Sequence, residues 1–213
     1  TVCDVVPLKG VNRALVTQGL KVMSKRSNLG LVALADVAGI DELPGAYHAG
    51  FILGPRINAG GRVGKSDLGA RLLSSNNKIE SAEIAAALDT YNKERQEIEA
   101  KVLEEANQQI DEIEVQSASI VIVVGDGWHP GVVGIVASRL KERFDRPSLV
   151  IALNDGSGTG SGRSVSGVDL GGAIIAARQA GIINKGGGHA MAAGLSVDAE
   201  RIEDLNFFLN ERL

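Results

Sequence analysis

Apolar side chains recur at Ile84, Leu88, Tyr91, Ile98, Val102, Ile110 and Ile113, and the stripe closes when Arg95 and Ala106 fill its gaps. This spacing predicts one helix of about 35 residues, roughly 50 Å long. Asn77 followed by Glu80 marks its start as a capping box. A helix of that length exceeds what one compact domain needs, so it reads as a strut. The expected fold class is α/β, with two lobes joined by the long helix. Residues 1–76 form a mostly helical lobe, 77–116 the connecting helix and 117–213 an α/β lobe whose mixed β-sheet is flanked by helices.

Charge follows the same division. The net charge is −4, yet residues 79–116 hold eleven Asp and Glu against three Lys and Arg, whereas residues 1–77 hold five against nine. The acidic segment reads as a solvated helix face, and the overall sign is a poor guide to what the flanking regions bind. One cysteine and three scattered histidines provide neither a disulfide nor zinc-site spacing. No apolar run approaches the roughly 18 residues that span a bilayer. The first residues also lack the basic and apolar regions of a signal peptide, which predicts a cytoplasmic protein with no membrane role. A start on Thr, inside an apolar phrase, is expected of a piece of a longer chain.

In the first lobe, TVCDVVPL (1–8) predicts a short buried strand, with Asp4 as a cap or turn former. Residues 12–23 and 29–37 have helical spacing. Residues 51–66 read as a glycine-rich loop whose Gly64-Lys65-Ser66 imitates the end of a P-loop. Ala59 stands where that pattern needs glycine, which excludes a P-loop triphosphatase. The loop carries Arg56, Asn58 and Arg62, able to fork onto phosphate oxygens or to pair with surface acids. Ser66 is expected to cap a short helix through Leu73.

In the second lobe, residues 120–124 predict a strand, 132–143 a helix and 148–153 a second strand. His129 lies between the first strand and its helix, either at a sheet edge suited to ligands or as a helix cap beside the sole tryptophan. Residues 157–167 are linker-like in composition, although Arg163 between Ser161 and Ser164 forms a charged fork with two hydroxyls. After a helix over 169–180, Gly186-Gly187-Gly188-His189 reads as a tight turn before a strand. Its histidine is incidental, or the turn is a phosphate cradle in which Gly187 and Gly188 aim backbone donors beside His189.

GPRINAGGR (54–62), GDGWHPGVVGIVASRLKERF (125–144), GSGRS (160–164) and GGGHAMAAG (186–194), in this order, resemble the RecJ family of the DHH phosphoesterase superfamily. That family comprises bacterial single-stranded-DNA-specific 5′ to 3′ exonucleases of DNA repair and recombination. The resemblance covers almost the whole chain. It implies a DHH lobe that holds Mn2+ or Mg2+ and a DHH-associated lobe that grips nucleic acid across a cleft. TVCDVVPL matches the last metal-binding motif, which makes Asp4 an implied metal ligand. No Asp-His-His string occurs here, and one Asp cannot hold two cations. The implied piece is therefore the substrate-binding half, inactive alone and binding no metal tightly.

Arg163, Ser161, Ser164, Gly187, Gly188 and His189, with His129, are the implied phosphate pocket, and Arg56, Asn58 and Arg62 are implied to reach the same cleft. The implied partners are single-stranded DNA and single-strand-binding or recombination proteins. Two alternatives stand beside this reading. One is a DHH phosphodiesterase acting on nano-oligonucleotides or cyclic dinucleotides, and the other is a non-catalytic interaction module.

Overall fold

The computed structural model describes residues 2–3, 5–110 and 117–213. The implied metal ligand Asp4 and the last residues of the predicted long helix, 111–116, lie outside the described residues. The chain forms two compact units, residues 1–96 and 97–213.

The first unit is helical: α1 (Gly10–Met23), α2 (Leu29–Val37), a π-helical turn (His48–Leu53) running into α3 (Gly54–Val63), and α4 (Leu68–Ser74). The first part of α5 (Lys78–Gln108) completes it. Leu34, Leu53, Leu72, Ile84 and Leu88 form its core. Asn28 caps α2 by accepting the Leu31 N–H. A Cβ on Gly30 would stand 1.9 Å from the Leu72 carbonyl oxygen, so only glycine lets the two helices approach this closely.

Three expectations change here. The strand expected over 1–8 does not form: Val5 N–H bonds to the Val2 carbonyl at 3.1 Å in a turn, and no described residue of this unit belongs to a sheet that a strand could join. The loop expected over 51–66 is largely helix. The π-helical turn leads directly into α3, so Pro55 falls in its first turn, where a missing N–H costs nothing. Helix α4 follows Asp67 without a side-chain cap, so Ser66 is not its N-cap.

At the start of α5, Asn77 Oδ1 accepts the N–H groups of Ile79 at 2.9 Å and Glu80 at 3.2 Å. Glu80 does not close the box. Its carboxylate instead takes the Ser75 hydroxyl at 2.8 Å and the Arg71 guanidinium at 3.0 Å. The predicted stripe is buried at Ile84, Leu88, Val102 and Ala106. Arg95 fills its gap as expected, only 8% exposed, with Nη2 donating to Asn92 Oδ1 at 3.0 Å.

The second unit contains β1 (Val121–Asp126), α6 (Val133–Phe144), β2 (Ser148–Asn154), β3 (Ser157–Arg163), α7 (Leu170–Gln179), β4 (Lys185–His189), β5 (Ala192–Asp198) and α8 (Ile202–Arg212). The sheet order is β1-β2-β3-β5-β4, with β1 and β2 parallel and the other pairs antiparallel. One face packs Leu149, Ile151, Leu195 and Val197 with α7 and α8. The other packs Val121, Val123 and Val150 with α6 and the end of α5. The β1 edge is closed by a side chain, because the Gln109 amide donates to the Val124 carbonyl at 2.8 Å and accepts its N–H at 3.2 Å.

Two segments expected as turn or linker are strands. Residues 157–163 are β3, the middle strand of the sheet, and Gly186-Gly187-Gly188 lie in β4 with no positive φ among them. Their glycines act through size. A Cβ on Gly158 would meet Ile151 Cγ2 at 2.8 Å, one on Gly162 would meet Leu170 Cδ2 at 2.7 Å, and one on Gly186 would meet Ile183 Cδ1 at 2.6 Å.

Gly125 shows the same constraint at the end of β1, where an added Cβ would lie 1.9 Å from Trp128 Cε2. The indole is buried and its N–H donates to Glu105 at 2.6 Å, so it has no easy way aside. Gly125→Ala is expected to cost about 1–3 kcal/mol, read as a lower urea midpoint followed by the fluorescence of the sole tryptophan. An unchanged midpoint would show that the indole relaxes freely.

Candidate functional site

Side chains on β3 alternate: Gly158, Gly160 and Gly162 turn into the core, while Thr159, Ser161 and Arg163 face the other way. Register then sets out rows across three strands. Arg163 lies opposite Ala192, which lies opposite His189; Ser161 lies opposite Gly194, which lies opposite Gly187. The antiparallel ladder thus brings Ser161, Arg163, Gly187 and His189 onto one face.

Arg163 is held from several sides. Its Nη1 donates to Ser161 Oγ at 3.0 Å and to the Gly162 carbonyl at 2.9 Å. A Cβ on Gly134, in the first turn of α6, would come within 3.1 Å of Arg163 Nη2 and 3.0 Å of Ser161 Oγ. His189 is exposed, and its Nδ1 accepts the Met191 N–H at 3.3 Å. An imidazole that accepts at Nδ1 carries its proton on Nε2 when neutral, which makes Nε2 the donor. The first turn of α7 presses on the same residue, since a Cβ on Gly171 would meet the His189 backbone at 2.7 Å.

The three glycines of β4 differ. Gly186 and Gly188 are packed, the latter with a Cβ position 2.2 Å from the Ala192 carbonyl oxygen, whereas a Cβ on Gly187 would meet nothing within 4 Å. Protein packing explains two of these glycines, and the third leaves the face bare beside Ser161 and His189.

Ser164 takes no part in the row. It is 1% exposed, and its hydroxyl donates to the Val168 carbonyl at 2.8 Å. His129 sits on the loop before α6, half-buried, with Nδ1 accepting the Gly131 N–H at 3.0 Å and its carbonyl accepting the Val132 N–H at 3.1 Å. Both bonds are local, holding the loop that leads into α6.

In the first unit, Asn58 and Arg62 are exposed one turn apart on α3. Arg56 is engaged: its Nε donates to Asp89 at 2.8 Å and its Nη1 to the Ile52 carbonyl at 2.9 Å, while Lys93 reaches the other Asp89 oxygen at 2.8 Å. Burial pushes the Asp89 carboxyl up, but hydrogen bonds from Lys93 and Arg56 and their charges outweigh it and hold it below the ordinary aspartate range. Sequence reading missed Asp89, although its place on the buried side of α5 could have marked it as a partner for a nearby cation. Gly134 and Gly171 were also missed, since nothing local distinguishes them from other helix glycines.

Among the described residues, no three His, Cys, Asp or Glu side chains converge to hold a metal ion. These residues do not fit a metal centre, and no catalytic step through one is assigned to them. No helix among the described residues is long and apolar enough to cross a membrane.

Residues 115–213 match the DHHA1 domain model. The chain is 39% identical over 214 residues to the single-stranded-DNA-specific exonuclease RecJ of Bacillus subtilis, covering 99% of this chain and 27% of that protein. The crystal structure of RecJ in complex with Mn2+ from Thermus thermophilus matches with a TM-score of 0.89 and 32% identity, over 100% of this chain and 31% of the other. The same protein in complex with Mg2+ matches with the same TM-score. The chain therefore spans less than a third of the length of each of these proteins.

The clamp on Arg56 is testable without a ligand. Because the folded Asp89 carboxyl titrates below its unfolded value, its stabilisation is present above about pH 3.9 and is lost as pH falls through the lower folded value. Asp89→Asn is expected to cost on the order of 1–3 kcal/mol at neutral pH and to flatten the acid limb of the stability profile. Urea titrations at several pH values check both, and an acid limb as steep as the parent's would assign the loss to other carboxyls.

Proposed function

We propose that this chain, a RecJ-like sequence with a DHHA1 domain over residues 115–213, is the strand-gripping part of a single-stranded-DNA exonuclease that degrades from the 5′ end. The observation that carries this reading is the shared face of Arg163, Ser161, Gly187 and His189. Arg163 offers a planar fork of donors suited to phosphate oxygens, His189 a further donor at Nε2, and Gly187 a surface that a phosphate can approach without meeting a side chain. Whole-chain similarity to proteins named as single-stranded-DNA-specific exonucleases supplies the polymer.

In this reading the terminal phosphate is bound and oriented here, and cleavage belongs to residues of a longer polypeptide, of which Asp4 is the member this chain holds. Asp4, together with residues of that longer polypeptide, would hold a divalent cation, which would supply charge neutralisation of the scissile phosphodiester and a water of lowered pKa. The residues described here bind and position the strand. Asn58 and Arg62, exposed one turn apart on α3, would add a second set of strand contacts from the first unit. The same reading puts the protein in the cytoplasm, in DNA repair and recombination, with single-strand-binding or recombination proteins as partners.

Fluorescence anisotropy with a 5′-phosphorylated oligodeoxythymidylate tests the pocket. Arg163→Ala and His189→Ala are each expected to weaken binding by about tenfold at low salt, and Ser164→Ala to change it little because that hydroxyl faces the interior. Parent-like affinity in both of the first two variants would overturn the assignment.

A further inference from the structure

The register that aligns Arg163 with His189 also aligns a third row on the same face. Thr159 lies opposite Ser196, and Ser196 opposite Lys185. Thr159 and Lys185 are exposed and Ser196 half-buried. The hydrogen bonds and ion pairs of the described residues include none from these three side chains, unlike Arg163 and Ser161, which engage each other. Between the two polar rows, the middle row is Ser161, Gly194 and Gly187, and only Ser161 has a side chain. Sites for a Cβ on the two glycines are open, with nothing closer than 3.8 Å, so no side chain separates the rows over β5 and β4.

The spacing identifies what could bridge them. Arg163 and Thr159 are four residues apart on one strand, about 13 Å at the usual rise. That exceeds the reach of one nucleotide and matches two successive internucleotide linkages. The run ends one row further on, where Asp198 lies opposite Ser157 and holds the Asn184 amide at 2.8 Å, a carboxylate that would repel a further phosphate. Facing charge therefore changes sign at a definite point along the strands.

We infer that Lys185, with the hydroxyls of Ser196 and Thr159, forms a second phosphate subsite. It takes the phosphodiester two linkages inward from the terminal group held at Arg163 and His189. This rests on the terminal-phosphate reading above and extends it to a footprint of three successive phosphates. The bare Gly194 and Gly187 row lies under the middle one. Binding energy at this subsite depends on length: a 5′-phosphorylated dinucleotide lacks the third phosphate, and a pentanucleotide has it.

The test uses the 213-residue chain and anisotropy competition with 5′-phosphorylated oligodeoxythymidylates of these two lengths. Lys185→Ala is expected to weaken the pentanucleotide about tenfold, to lower the slope of log K against log salt by about 0.7, and to leave the dinucleotide unchanged. Lys185→Arg should restore pentanucleotide binding. Parent-like pentanucleotide affinity in Lys185→Ala, or equal weakening of both lengths, overturns the second subsite. Arg163→Ala separates the two ideas: it should weaken both lengths, and if it weakens neither, the terminal pocket is wrong.

Discussion

The filling of one sheet face over its middle strand, by side chains of the two flanking strands and by Leu170 of α7, is the constraint on which the second unit depends. That filling requires the core-facing positions of β3 to have no side chains, because Ile151 of β2, Leu195 and Val197 of β5 and Leu170 of α7 already occupy the space that Cβ atoms on Gly158, Gly160 and Gly162 would take. With period-2 alternation, a strand whose inward residues are all glycine presents its side chains on the opposite face, where Gly134 of α6 leaves room for Ser161 and Arg163. Thr159, Ser161 and Arg163 are the outward residues. The same logic extends to β4, where Gly186 fits against Ile183 and Ile174 while Lys185, Gly187 and His189 belong to the open face. Packing thus occupies one side of these strands and dictates which residues are small, while the proposed site lies on the other.

The long helix is governed by a different balance. In each unit its inward side is apolar, with Ile84 and Leu88 in one core and Val102 and Ala106 in the other. The intervening positions Asp89, Asn92, Arg95 and Glu99 are polar and nonetheless buried. Each has a partner: Arg56 and Lys93 for Asp89, Arg95 for Asn92, and Arg139 at 3.5 Å for Glu99. Buried charges of this kind are weak evidence for net stability, yet losing one partner strands the other and is costly. The Arg56–Asp89 pair accordingly fixes where α3 sits against α5 within the first unit.

How much of this was legible in the sequence depends on whether a segment announced itself through apolar spacing. The α5 stripe, with Arg95 as its gap filler, was readable because four or more apolar contacts repeat at helical period. So were β1, β2, α6 and α2, whose bounds at Leu29–Val37 match the spacing of their apolar residues. Segments built from glycine were misread. SGTGSGR and KGGGH have no apolar side chain to show period 2, so their composition signals linker or turn, and only the tertiary demand for Cβ-free positions makes them strands. GPRINAGGR failed for a related reason. A proline and three glycines argue for a loop unless the preceding residues already form a helical turn, and the π-helical His48–Leu53 segment has no local signature. For the candidate site, Ser161, Arg163, Gly187 and His189 were legible as residue types, but their alignment came from register, which a single sequence does not display.

Placing donors on β-strands instead of on a mobile turn changes what the face can do. A guanidinium on a loop must lose both backbone and side-chain freedom when it binds a phosphate, whereas Arg163 has its backbone fixed by two antiparallel neighbours and its side chain already leaning on Ser161 Oγ and the Gly162 carbonyl. His189 is oriented likewise, with Nδ1 tied to the Met191 N–H and its backbone braced by α7 at Gly171. In the proposed site little ordering would remain for a ligand to impose, so the interaction energy at each contact would go into affinity and register along the strand. A ladder also repeats, and its fixed rise relates one row of donors to the next at a spacing a polymer of phosphates can match. A flexible glycine turn would bind one anion, but three aligned strands can measure a chain.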